Sequence, residues 1–405
     1  MKRLIIGFFV FFFVFQNVHA GSGALEALRE SSLTGLNLPF SGESQPYFLE
    51  PPSYGTAALR PQVPETVTTA TNLPQFGVYD YTSIPHYVFT DYTRISPVLV
   101  SAIDKTHHTL DVALYNLQLA DVAQALIRAH SRGVKTRVVF DYGHVYPKTG
   151  REIQEVIDSG MEVKVMKGRG KLGSMHNKYA VFDGTVLETG SNNWSLSAEN
   201  ASFENMMFVF EPDIISGYQE NFEWLWRQGK PAGDPSAYIP AAGQIPYDTT
   251  PSVHFNGATL PDYVFSPRGG TESAIIKAID AAASEVDIAM FTFTSRPIMN
   301  ALKRARTRGV RVKMVVYVKS EFPFKKEAAA AGMEVRYKAG RNANGLMHNK
   351  FAVIDGRLLI NGSFNWSATA ENGNAENTIF TLKPEYTAPY KAQFDQLYSR
   401  SFVMQ

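Results

Sequence analysis

One framework occurs twice in this chain, and a repeated framework constrains the fold to two like units. Tyr87-Val88-Phe89 recurs as Tyr263-Val264-Phe265, Asp104 as Asp280, Asp111 as Asp287, and Arg132-Gly133-Val134 as Arg308-Gly309-Val310, always 176 residues apart. From Gly160-Met161-Glu162-Val163 and Gly332-Met333-Glu334-Val335 onward the separation becomes 172, and it stays so to Glu204-Asn205 and Glu376-Asn377. A single length change of four residues between the copies accounts for the shift. Chance identity does not hold one register that long.

Each copy reads as α/β. Leu110 to Tyr115, Val138 to Phe140, Val286 to Phe293 and Val312 to Val316 are apolar and β-prone. Between them, Val122, Ala125, Leu126 and Ala129, and likewise Ile298, Ala301, Leu302 and Ala305, recur at the spacing of a helix's core face. Gly133 and Gly309 stand where C-terminal helix caps belong. Strand–helix–strand alternation predicts a largely parallel sheet with helices on both faces. The copies span residues 76–230 and 256–405, joined by a Pro-punctuated linker, 231–255. Residues 21–75, rich in Pro, Ser and Thr, read as an extended arm.

The first twenty residues have the layout of a cleaved secretory signal: Lys2 and Arg3, an apolar stretch from Leu4 to Phe15, then Val18-His19-Ala20. That layout predicts a secreted or periplasmic bacterial protein with no membrane span after cleavage. There is no cysteine, which excludes disulfides and thioether lipid attachment. Without Lys2 and Arg3 the charge is 37 basic against 38 acidic residues, so attraction to a polyanion must come from a local patch. No obligate protein partner is evident.

The chemistry-bearing residues fall in the second part of each repeat. His176, Lys178 and Asp183 precede Gly190-Ser191-Asn192-Asn193-Trp194 and Glu204; His348, Lys350 and Asp355 precede Gly362-Ser363-Phe364-Asn365-Trp366 and Glu376. Apolar residues follow each Lys, so His and Lys open a strand and, two apart, share a face. Asp183-Gly184 and Asp355-Gly356 read as hairpin turns. The returning strand then brings Ser191, Asn193, Ser363 and Asn365 near the His and Lys. Phosphoryl transfer needs positive charge and donors around phosphate oxygens, a nucleophile, and a proton for the leaving group. One copy holds half of that set, and two facing copies complete it. The Lys and Asn pairs would hold the phosphate while one His attacks and the other protonates. No metal-ligand set accompanies these residues, and no cofactor is expected.

H-x-K-x-x-x-x-D followed by G-S-x-N, present twice without a substitution, resembles the signature of the phospholipase D superfamily. The resemblance covers both copies. It implies two lobes of mixed sheet flanked by helices, pseudo-twofold related, with one site between them. It also implies a metal-free mechanism through a covalent phosphohistidine, with His176 as nucleophile and His348 as acid and base. Asp183 and Asp355 would support the catalytic set, and Glu204 and Glu376 would orient the histidines. The lobes are compact and look most like the small bacterial endonuclease and cardiolipin-hydrolase branch.

The resemblance implies a phosphodiester substrate, either nucleic acid or phospholipid. Lys164, Lys167, Arg169 and Lys171 lead into His176, and Arg336, Lys338 and Arg341 precede His348. Such runs could track a polyanionic backbone, which tips the expectation slightly toward nucleic acid. Tyr142, Tyr146, Phe322 and Phe324 suit stacked bases or lipid equally. An inert binding module is the remote alternative, opposed by two intact motifs.

Overall fold

The computed structural model describes residues 83–234, 243–320 and 322–403. The N-terminal leader and the Pro-rich arm lie outside the described residues, as does the middle of the linker. The described residues fall within one compact unit, 75–405.

The first lobe is built on β1 (Tyr87–Phe89), β2 (Thr109–Leu114), β3 (Lys135–Asp141), β4 (Glu162–Met166), β5 (Lys178–Phe182), β6 (Val186–Gly190), β7 (Asn205–Val209) and β8 (Lys230–Pro231). A small ribbon of β9 (Val253–Phe255) and β10 (Ala258–Leu260) precedes the second lobe. That lobe contains β11 (Tyr263–Ser266), β12 (Glu285–Met290), β13 (Arg311–Tyr317), β14 (Glu334–Lys338), β15 (Lys350–Ile354), β16 (Leu358–Gly362) and β17 (Glu376–Thr381). The sheet orders are β1-β7-β6-β5-β2-β3-β4-β8 and β11-β17-β16-β15-β12-β13-β14, so the repeat in sequence is a repeat in topology.

Both sheets are mixed. Only β2-β3-β4 and β12-β13-β14 run parallel, each joined through helical crossovers. The rest of each sheet is antiparallel, which corrects the largely parallel arrangement drawn from strand–helix alternation. The cause is the hairpin after each motif. Asp183 and Gly184 have φ of 49° and 64°, and Asp355 and Gly356 have 52° and 63°. Two successive positive φ values in a three-residue turn match the twist of antiparallel strands. It sends β6 and β16 straight back along β5 and β15.

Helices at Ala120–Ser131 and Arg296–Thr307 bury Val122, Ala125, Leu126 and Ala129, and Ile298, Ala301, Leu302 and Ala305. They cover the outer face of each sheet. The inner faces share a third core, into which Pro212–Gln228 sends Tyr218, Phe222 and Leu225, and Pro384–Ser399 sends Tyr386, Tyr390 and Phe394. Each buried side chain of that size contributes roughly 1.5–3 kcal/mol. This common layer, rather than the linker, therefore holds the lobes together. Its tyrosines also cross between lobes: the Tyr386 hydroxyl donates to Phe208 O at 3.0 Å, Tyr390 to Asn205 Oδ1 at 3.0 Å, and Tyr218 to Asn377 Oδ1 at 3.1 Å.

Candidate active site

The segment entering each motif pairs with the other lobe. His176 N donates to Ala375 O at 2.9 Å and His348 N donates to Phe203 O at 3.0 Å. These bridges lay each histidine beside the residue that precedes the other lobe's glutamate. His176 Nδ1 accordingly lies 2.8 Å from Glu376 Oε2, and His348 Nδ1 lies 2.6 Å from Glu204 Oε1. Each carboxylate belongs to the opposite lobe from the ring it holds. With Nδ1 engaged, the reactive nitrogen of each ring is Nε2.

The lysines are buried with them. Lys178 Nζ donates to His176 O at 2.6 Å; Lys350 Nζ donates to His348 O at 2.8 Å and lies 3.0 Å from His348 Nε2. An ammonium has three donors, so both retain capacity for a phosphate oxygen. Burial lowers Lys178 to about 7 and Lys350 to about 8, against the pull of the nearby glutamates. Burial likewise lowers both imidazoles to about 4, outweighing the carboxylates beside them, and the ammonium groups push in the same direction. At neutral pH both rings are therefore neutral, as the contact between Lys350 and His348 Nε2 requires.

The Gly-Ser-x-Asn stretches come to the same place, with divided tasks. A Cβ at Gly190 would stand 2.3 Å from Asn205 O, and one at Gly362 would stand 2.2 Å from Asn377 O, so neither position admits a side chain. That close approach lets Ser191 Oγ donate to Glu204 Oε2 and Ser363 Oγ donate to Glu376 Oε2, each at 2.6 Å. The serine hydroxyls thus hold the carboxylates rather than standing open as phosphate donors. Asn193 and Asn365 each carry a buried side-chain oxygen with no hydrogen-bond partner among the described residues. Each is followed by a buried tryptophan, Trp194 or Trp366.

Asp183 and Asp355 are not brought to the site. Each lies at the far end of the motif strand, about 16 Å from its lysine at the usual rise for five residues. Asp183 accepts from the backbone N–H groups of His107, His108 and Thr109 at 2.7–3.0 Å. Asp355 accepts from Ala283, Ser284 and Glu285 at 2.7–2.9 Å, and from Asn256 Nδ2 at 2.7 Å. These carboxylates tie the hairpin to the neighbouring strand. Asp183→Ala or Asp355→Ala should therefore cost about 1–3 kcal/mol of stability while leaving turnover per folded molecule near wild type. Thermal melting alongside assays on the folded fraction checks this. A folded variant with turnover reduced a hundredfold would return the aspartates to the catalytic set.

Sequence reasoning missed several neighbours. Tyr115 and Phe291, equivalent at the 176-residue spacing, pack edge-on against His176 at 4.8 Å and His348 at 4.6 Å. Their rings also lie 5.1 Å from Lys178 Nζ and 5.2 Å from Lys350 Nζ. The signal was present, because each directly follows a strand of the repeat. Asn205 Nδ2 donates to Asn349 Oδ1 at 2.8 Å and Asn377 Nδ2 to Asn177 Oδ1 at 3.0 Å, locking the motif residue between His and Lys to the other lobe. Asp141 is lobe-specific, since Tyr317 stands in its place. Burial pushes it up to about 7 although Met175 and Gly143 donate to it. Among the described residues no cluster of three or more His, Asp or Glu side chains is arranged to hold a metal.

The family described as "Cardiolipin synthase, PLD-like domain" matches residues 99–226 and 275–398, one segment in each lobe. The chain belongs to the phospholipase D superfamily. It is similar to the mitochondrial cardiolipin hydrolases of Xenopus tropicalis (33% identical over 128 residues, 32% of this chain and 59% of that protein) and Danio rerio (31% over 151 residues, 36% and 62%). The chain thus spans about three fifths of the length of these relatives. Phosphatidylserine synthase of Haemophilus influenzae Rd KW20 shares the fold, with a TM-score of 0.57 at 14% identity over 79% of this chain and 87% of that one.

The relatives' names place them in the mitochondria of eukaryotes, and this overturns the expectation of a secreted or periplasmic bacterial protein. That expectation rested on Lys2, Arg3, the apolar stretch from Leu4 to Phe15 and the small-residue run Val18-His19-Ala20. Basic, acid-poor N-termini are common to more than one kind of targeting segment. Among the described residues, no helix is long and apolar enough to cross a membrane.

Proposed function

We propose that the protein hydrolyses phospholipid phosphodiesters of the cardiolipin type through a covalent phosphohistidine. The reading is carried by the two imidazoles, each held at Nδ1 by a carboxylate of the opposite lobe and each with a buried lysine. His176 Nε2 attacks phosphorus, forming an N–P bond as the P–O bond to the leaving alcohol breaks. Lys178, Lys350, Asn193 and Asn365 hold the phosphoryl oxygens. The anionic phosphate between the rings favours the imidazolium, opposing burial, so that His348 Nε2 can give its proton to the departing alkoxide. His348 then takes a proton from water, which attacks phosphorus and breaks the N–P bond. Glu376 and Glu204 orient the two rings, and Ser363 and Ser191 fix those carboxylates.

The names of the cardiolipin hydrolases favour a lipid over nucleic acid. The basic runs support the same choice, because much of their charge is engaged within the fold. Lys164 donates to Trp226 O, Arg336 to Tyr398 O, Lys338 to Arg400 O, and Arg341 to Ser202 O, at 2.8–3.1 Å.

The test is the purified protein on cardiolipin, phosphatidylglycerol, phosphatidylcholine, single-stranded and plasmid DNA, each with and without EDTA. Release of phosphatidic acid, undiminished by EDTA, is expected. Cleavage of DNA alone, or loss on chelation with rescue by a divalent ion, would overturn the proposal.

Charge on the lysines sets the alkaline side of activity. As pH rises through about 7 to 8, first Lys178 and then Lys350 loses its proton in the free enzyme. The value of kcat/KM for a soluble diester should fall over that range. The limb for kcat should lie higher, since bound phosphate stabilises the ammonium form. A kcat/KM profile flat to about pH 10, the range of an ordinary lysine, would contradict this.

A further inference from the structure

We propose that the loop 168–173, which leads into His176, is a docking tip for an anionic phospholipid surface; this rests on the lipid reading of the site. Leu172 is 82% exposed, the most exposed of the large hydrophobic residues described. Arg169 and Lys171 beside it are exposed, and neither forms an ion pair among the described residues. An exposed apolar side chain preceded by two cations without ion pairs matches an interface where acyl chains lie beneath anionic head groups.

The tip is held from below. Lys167 and Ser174 bridge across the base of the loop, Arg169 N donates to Gly373 O at 2.6 Å, and Ser174 N donates to Asn374 Oδ1 at 3.1 Å. A Cβ at Gly168 or Gly173 would stand 2.3 or 2.4 Å from Gly373 O, so the base closes against the second lobe only because both are glycine. Gly170, at φ 71°, turns the chain at the top. A fixed base presents Leu172 with little ordering left to do on contact. Asn374 also donates to Glu376 Oε1 at 2.9 Å, so the clamp under the tip abuts the carboxylate that holds His176. A surface engaged by the tip therefore lies beside the reacting centre.

The second lobe shows that the fold itself does not need this feature. Its equivalent loop reads Gly340-Arg341-Asn342-Ala343-Asn344-Gly345, with no large apolar residue. Arg341 there folds back to donate to Ser202 O and Glu199 O in the first lobe. Of the two equivalent loops, only that of the first lobe carries an apolar residue outward beside exposed cations.

Vesicles of phosphatidylcholine with and without phosphatidylglycerol test the tip. Leu172→Ala should lower partition onto the anionic vesicles by about tenfold. Arg169→Ala with Lys171→Ala should flatten the dependence on anionic lipid and on salt. The indole emission of Leu172→Trp should shift to the blue on adding anionic vesicles. Turnover of soluble bis(p-nitrophenyl) phosphate should be unchanged in all three, which also shows that they fold. Unaltered partition of Leu172→Ala, or unmoved indole emission, overturns the tip. So does weakened oligonucleotide binding in the charge variant with vesicle binding intact. Monomeric short-chain phosphatidylglycerol separates the two readings. If it is cleaved while partition is unaffected, the tip alone fails; if it is not cleaved while the soluble diester is, the lipid reading fails.

Discussion

His176→Ala and His348→Ala should each reduce turnover at least about a thousandfold, and neither should keep half. Both rings belong to one site, because each is oriented by a carboxylate of the opposite lobe and both lie among the same buried charges. Lys350 acts electrostatically on both Lys178 and His176. Two independent sites would instead leave about half the activity in each single variant. The two histidines should differ in the step they block. With a p-nitrophenyl leaving group, which departs readily without a proton, His348→Ala should still form the phosphoenzyme and then stall. His176→Ala should form none. Alkaline-quenched mass spectrometry of the loaded protein, which preserves an N–P bond, distinguishes these outcomes. About 50% residual turnover in either variant would refute a single shared site.

Substitution of the carboxylates should cross between the lobes in the same way. Glu376→Gln is expected to slow formation of the covalent intermediate, and Glu204→Gln to slow its breakdown, each by roughly 10²–10⁴-fold. A glutamine keeps the shape and one hydrogen bond but removes the charge that stabilises the imidazolium. It can also hold the ring in the wrong tautomer. Ser363→Ala and Ser191→Ala should follow their own carboxylates with smaller losses, since each serine fixes a carboxylate that touches the ring. Pre-steady-state kinetics with a chromogenic diester would resolve the two steps. If Glu204→Gln instead slowed intermediate formation on this substrate while Glu376→Gln slowed breakdown, the roles of His176 and His348 would be exchanged.

Much of this architecture is readable before any coordinates. The 176- and 172-residue registers imply two like lobes because homologous residues occupy homologous places. Asp183-Gly184 and Asp355-Gly356 specify tight turns because few residues tolerate two successive positive φ values. The periodic Val122 to Ala129 and Ile298 to Ala305 faces specify core-facing helices through 3.6-residue repetition. Strand direction was less legible: β5 and β6 look like any pair of apolar strands until the hairpin is weighed against the helical crossovers.

By itself, then, the sequence determined that there are two lobes, that each carries one His-Lys pair with its Gly-Ser-x-Asn stretch, and where the local turns and helices fall. Only the tertiary structure decided which group touches which. Glu204 is 28 residues from His176 and Glu376 is 200 away, yet Glu376 holds that ring. Ser191 and Ser363 turn to the glutamates, Asp183 and Asp355 stay at the far turns, and Arg341 is spent on the opposite lobe. The physical reason is that periodicity and turn chemistry act over a few residues. The bridges from His176 to Ala375 and from His348 to Phe203 form only when two completed sheets pack face to face.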